Sequence, residues 1–149
     1  MAPTDGGVCA DSHILRADDR LPSNRAVALT LIALAMGGFA IGVTEFAAMS
    51  VLPDFARGLG VAEPTAGHAI SAYAAGVVVG APLLAVLGAK APRWLLLIIF
   101  MGLFAIGNAL SAMSPTFEWM LAFRFLSGLP HGAYFGVAAL VAASIVPRE

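Results

Sequence analysis

Residues 119–146 read WMLAFRFLSGLPHGAYFGVAALVAASIV. This run decides the fold: it is long enough to cross a bilayer, for which a helix needs ~20 residues. It is apolar along its length, and it carries a glycine at every fourth position through Gly128, Gly132 and Gly136. One arginine, Arg124, and one histidine, His131, interrupt it. Three more apolar runs precede it, covering about residues 26–50, 66–88 and 94–113. The expected fold class is therefore an all-α membrane protein with four transmembrane helices. The breaks between runs hold turn-forming residues: Pro53-Asp54, Gly58, Gly60 and Glu63-Pro64, then Ala91-Pro92, then Ser114-Pro115. Such short connections make neighbouring helices antiparallel.

Composition agrees. The 149 residues are 60% hydrophobic and 11% charged, with a mean hydropathy of +0.89. Soluble domains carry about 25% charged residues, so lipid is the partner expected to cover this surface. A net charge of −1 without a basic stripe excludes nucleic acid as a partner. One cysteine, Cys9, leaves no disulfide framework. There is no HExxH, no GxSxG, no phosphate-cradling loop and no cluster of metal-ligand spacing. The chain is thus expected to be no enzyme, with no cofactor and no metal.

Residues 1–25 are polar, with Asp5, Asp11, Asp18 and Asp19 among Arg16, Arg20 and Arg25. They lack the apolar core and cleavage site of a secretory signal and read as a disordered tail. Arg16, Arg20, Arg25, Lys90, Arg93 and Arg148 all fall on one side of the four spans, whereas Arg57 alone falls in a loop on the other. The positive-inside rule therefore predicts a multi-pass protein of the cell membrane with a cytoplasmic amino terminus.

Small residues recur four apart at Gly38 and Gly42, at Gly76 and Gly80, and along 128–136. This spacing lines one face of a helix and lets backbones approach closely. It points to helix packing before any direct contact with a ligand.

Charges inside the spans carry the functional information. Glu45 lies eight residues before Pro53, and Arg124 lies five after Trp119. At 1.5 Å per residue both sit roughly 8–12 Å from the same boundary. Matched depth allows an ion pair or a shared aqueous cavity, and the cost of a charge in hydrocarbon turns both inward. Glu45 then acts as a proton carrier whose affinity depends on the distance to Arg124, or the two form a static buried salt bridge. His131 lies seven residues beyond Arg124, nearly on the same face, beside Pro130. It extends a polar groove or hydrogen-bonds a neighbouring helix. Asn108 is a candidate for interhelical hydrogen bonding.

Together, several segments resemble the major facilitator superfamily, in particular its drug–proton antiporter branch of arabinose-efflux-permease-like proteins. They are Gly42-Val-Thr-Glu45-Phe46 with Leu52-Pro53, Ser71-Ala-Tyr73-Ala-Ala-Gly76 with Gly80-Ala-Pro82, Gly107-Asn108-Ala-Leu-Ser111, and Arg124-Phe-Leu-Ser-Gly128-Leu-Pro130-His131-Gly132. The resemblance implies secondary active transport: proton-coupled efflux of small molecules such as drugs or sugars, by an antiporter of the inner membrane. It implies proton-coupling roles for Glu45 and Arg124 and places His131, Asn108 and Tyr73 as cavity or substrate-binding candidates. Lys90 and Arg93 match basic positions of the family's gating loop, but Ala89 stands at its aspartate and Pro92 at its glycine. Members have twelve or more helices in two halves. The chain is accordingly expected to be an amino-terminal fragment whose partners are its substrate, protons, the bilayer and further helices of the same protein. A self-contained dimeric four-helix exporter and an inactive truncated product are the alternatives.

Overall fold

The computed structural model describes residues 23–146. The tail expected over residues 1–25 falls mostly outside that range, as does Arg148. Helix α1 begins earlier than expected, spanning Asn24–Ser50, because the Ser23 side chain accepts a hydrogen bond from the Ala26 N–H and caps it. The other long helices are α4 (His68–Leu87), α5 (Arg93–Ala112) and α6 (Phe117–Ile145). Counting the short turn that leads into α4, four segments are long and apolar enough to cross a membrane. The protein is all-α, with four candidate membrane-spanning helices.

The connection between α1 and α4 is more ordered than its turn-forming residues suggest. It contains α2 (Leu52–Leu59) and the single turn α3 (Glu63–Ala66). Pro53 and Pro64 both sit in a first turn, where the missing N–H costs nothing. Asp54 meets the positive end of α2 and pairs with Arg57 one turn later. Gly60 then ends α2 with φ of 66°, a left-handed conformation that glycine adopts without strain.

Helix α6 is the centre of the bundle. It packs extensively against α4 and α5, and far less against α1. The glycines explain the α4–α6 contact. A Cβ on Gly76 or Gly80 would overlap the carbonyl oxygen of Phe125 or Leu129, and one on Gly128 would overlap that of Tyr73. On α5, a Cβ at Gly107 would come within 2.8 Å of the Ser127 Cβ. These backbones touch directly, the arrangement small residues permit in membranes. Gly42 and Gly136, by contrast, have nothing within 4 Å of an added Cβ. The apolar core joins Ile41, Tyr73, Phe100, Phe104, Ala133, Tyr134 and Ala138 from all four long helices. Outward, Leu29, Phe39, Val78, Val86, Leu87, Trp94, Ile98 and Leu140 are exposed, the surface a lipid environment covers.

Candidate functional site

Three of the polar residues singled out in the sequence meet on the α4–α6 seam. The closeness of the two backbones brings Tyr73 of α4 beneath Arg124 of α6, with the guanidinium carbon 5.2 Å from the ring centroid. The same Tyr73 hydroxyl lies 2.8 Å from His131 Nδ1, two turns along α6. Which of the two donates depends on the His131 tautomer. Arg124 is 9% exposed. Its Nη1 donates to Asn108 Oδ1 of α5 at 3.4 Å, while Asn108 Nδ2 donates to the Phe104 carbonyl within its own helix. The buried cation thus has one weak hydrogen bond and one aromatic face, less than a buried charge normally requires.

Glu45 does not close the shortfall. Among the described residues, Asp54–Arg57 is the pair that lies within ion-pair distance, and Glu45 forms none with Arg124. Glu45 is half-buried on the lightly held α1, near enough for its charge to act on Tyr73, Arg124 and His131. Arg124, Tyr73, His131 and Asn108 therefore form one connected cluster, with Glu45 at its edge. Lys90 and Arg93 are at the opposite end of the bundle. Lys90 is exposed, and Arg93 Nη1 donates to the Leu140 carbonyl at 3.3 Å, fastening the start of α5 to the last turns of α6.

Beside Arg124 lies a cavity of about 210 Å³, bounded by α1, α2, α4, α5 and α6. Arg124, Asn108, Ser111 and Thr44 are its polar lining; Leu52 and Phe55 of α2 also line it. Ser111 went unremarked as a site residue in the sequence, although its position three residues after Asn108 places both on one face of α5. Gly37 was also missed. A Cβ there would overlap the Tyr134 hydroxyl, which donates to the Leu34 carbonyl at 3.0 Å and is a tie between α6 and α1. Among the described residues no three His, Cys, Asp or Glu side chains gather as a metal site would require.

Four apolar helices long enough to cross a bilayer, with a buried arginine on their internal seam, define a multi-pass membrane protein. Residues 34–149 match the Major Facilitator Superfamily, and the chain belongs to that family. It is 50% identical over 119 residues to the inner membrane transport protein YdhP of Escherichia coli K12, covering 80% of this chain and 31% of that protein. It is 41% identical over 116 residues to the putative transporter AraJ of the same organism, covering 78% and 29%. A chloramphenicol resistance protein of Streptomyces lividans is 38% identical over 121 residues, covering 81% and 31%. The chain spans about three-tenths of the length of these curated relatives. No solved structure matches it significantly.

Proposed function

We propose that this chain supplies membrane-spanning helices of a proton-coupled exporter of small molecules, an antiporter of the inner membrane with its amino terminus in the cytoplasm. The observation that carries the reading is the buried Arg124, stacked on Tyr73 and short of a carboxylate, with the Glu45 charge close by on a separate helix. A carboxylate near an unneutralised cation holds its proton weakly, and one withdrawn into an apolar seam holds it tightly. Displacing α1 against α6 therefore couples proton binding at Glu45 to conformation. Tyr73 joins Arg124 to His131 and extends the polar surface along α6, where His131 and Asn108 offer hydrogen bonds to a substrate. Lys90 and Arg93 act at the other end as a gate and as cytoplasmic anchors.

Membership of the superfamily favours this reading over a self-contained four-helix exporter. The names of YdhP as an inner membrane transport protein and of a relative as a chloramphenicol resistance protein support the membrane and the drug-like cargo. The test is transport in proteoliposomes under an imposed pH gradient, using the full product of the gene and a panel of amphenicols and sugars. Glu45→Gln is expected to abolish proton-driven flux while leaving insertion and helicity intact. Undiminished proton-driven flux in that variant would remove Glu45 from the coupling.

A further inference from the structure

The cavity beside Arg124 is lined by groups that offer hydrogens and lack acceptors. The Arg124 guanidinium spends one N–H on Asn108 Oδ1 at 3.4 Å, and the remaining donors have no hydrogen-bond partner among the described residues. Ser111 is 8% exposed, and its Oγ is buried without a partner. That is unusual within this chain. Thr30, Thr44, Ser50 and Ser114 all turn back to the carbonyl four residues earlier. The other buried serine, Ser127, donates to the Arg124 carbonyl. Ser111 makes no such bond and lines the same cavity as the guanidinium. Leaving a buried hydroxyl unmatched is costly, and the guanidinium beside it, 9% exposed, has no carboxylate within ion-pair distance among the described residues.

The rest of the lining sharpens the chemistry. Asn108 Nδ2 is committed to the Phe104 carbonyl and the Thr44 hydroxyl to the Ala40 carbonyl. The other walls are apolar, Phe55, Ile70 and Met120 among them. No carboxylate lines the space, and Glu45 acts on Arg124 only from beyond ion-pair distance. A positive, donor-rich pocket with apolar walls suits a small monovalent anion, which accepts from several donors and neutralises the charge. A volume of about 210 Å³ admits chloride or a small carboxylate.

We infer that the cavity between α1, α5 and α6 is a binding site for a small monovalent anion, held by the Arg124 guanidinium and the Ser111 hydroxyl. The anion stands in for a carboxylate while Glu45 is away from Arg124. The site rests on the geometry of these residues and not on proton coupling, so its test reads binding and involves no transport.

The test is thermal unfolding of the purified full product of the gene in lipid nanodiscs, followed by tryptophan fluorescence. Chloride or acetate is titrated against lactobionate, an anion too bulky for the cavity, at constant ionic strength. Stabilisation that saturates with chloride assigns a halide to the site; saturation with acetate alone assigns a carboxylate. Ser111→Ala is expected to weaken that binding about tenfold, the worth of one charge-assisted hydrogen bond. Ser144→Ala, which removes an exposed hydroxyl bonded to the Val141 carbonyl, is expected to leave it unchanged. Equal curves in chloride, acetate and lactobionate would overturn the inference, as would unaltered affinity in Ser111→Ala.

Discussion

The seam between α4 and α6 makes a quantitative prediction about glycine. Gly80 faces Leu129 so closely that a methyl group there would overlap the Leu129 backbone. A backbone atom cannot rotate aside as a flexible side chain can, so the helices themselves must part. The neighbouring contact gives the scale. A Cβ on Gly132 would lie 2.8 Å from the Ala81 Cβ, whereas unstrained carbon pairs rest at about 3.5 Å or more. Relieving even this milder overlap needs a shift of roughly 0.7 Å, and Gly80 needs more. Overpacking of this kind costs about 1–3 kcal/mol. Replacing glycine by alanine inside a helix returns about 1 kcal/mol of propensity.

For Gly80→Ala the immovable neighbour selects the upper end of that range, for a net loss of about 2 kcal/mol. Gly42→Ala is the matched control, because nothing lies within 4 Å of a Cβ there. It retains the propensity gain and is expected to stabilise by up to about 1 kcal/mol. Reversible unfolding in mixed micelles, titrated with a denaturing detergent and followed by circular dichroism, measures both. The two variants should differ by about 2–3 kcal/mol, with Gly80→Ala the weaker. If they unfold within about 0.5 kcal/mol of each other, α4 and α6 do not meet backbone to backbone and the packing argument fails.

Three further outcomes follow from single contacts. Tyr73→Phe removes the hydrogen bond to His131 and keeps the ring beneath Arg124. It should cost about 1 kcal/mol in the same unfolding assay, and wild-type stability would mean the bond is not formed. Tyr134→Phe removes the tie to the Leu34 carbonyl, so amide exchange should accelerate in α1 and not in α4; uniform exchange would count against a separately held α1. Arg124→Gln withdraws the charge that faces Tyr73 and Asn108. It should abolish proton-driven transport in the full gene product even where expression is normal, and retained coupling would assign the arginine to packing alone.

Much of the fold was legible because membranes impose simple rules on sequence. Length and hydropathy located four spans, and the four-residue glycine spacing marked Gly76, Gly80 and Gly128 on a face that the structure brings against backbone. The same spacing also marked Gly42 and Gly136, where an added Cβ would meet nothing within 4 Å. Periodicity reports that a face is smooth, and a partner helix must still arrive. The connection after α1 read as turns because proline and glycine dominate it. Pro53 and Gly60 instead begin and end a helix, the positions where each is favoured. Within the site, charge and depth drew attention to Arg124 and Glu45, and the shared face of α6 to His131. That Tyr73 would link Arg124 to His131 depended on the lateral register of α4 against α6, which no single-helix pattern encodes. Ser111 was hidden for a related reason: a serine in an apolar helix ordinarily bonds its own backbone, and only the cavity distinguishes this one.

These contacts also constrain where motion can arise. Helices α4 and α5 each pack backbone to backbone against α6 at Gly76, Gly80, Gly107 and Gly128, so separating any of the three disrupts more contact than displacing α1 does. Arg124, Tyr73, His131 and Asn108 all belong to these three helices, and the distances among them change little without breaking the seam. Glu45 belongs to α1, which meets α6 through a few residues around Gly37, Gly38 and Ile41 and through the Tyr134 bond to Leu34. The environment of Glu45 relative to Arg124 therefore changes at least cost by a displacement of α1, the long helix packed least against α6. The Tyr134 hydroxyl bond to the Leu34 carbonyl, beside Gly37, is the tie such a displacement would strain. Thr44, next to Glu45 on α1, lines the same cavity as Arg124 and Ser111, so that displacement would reshape it.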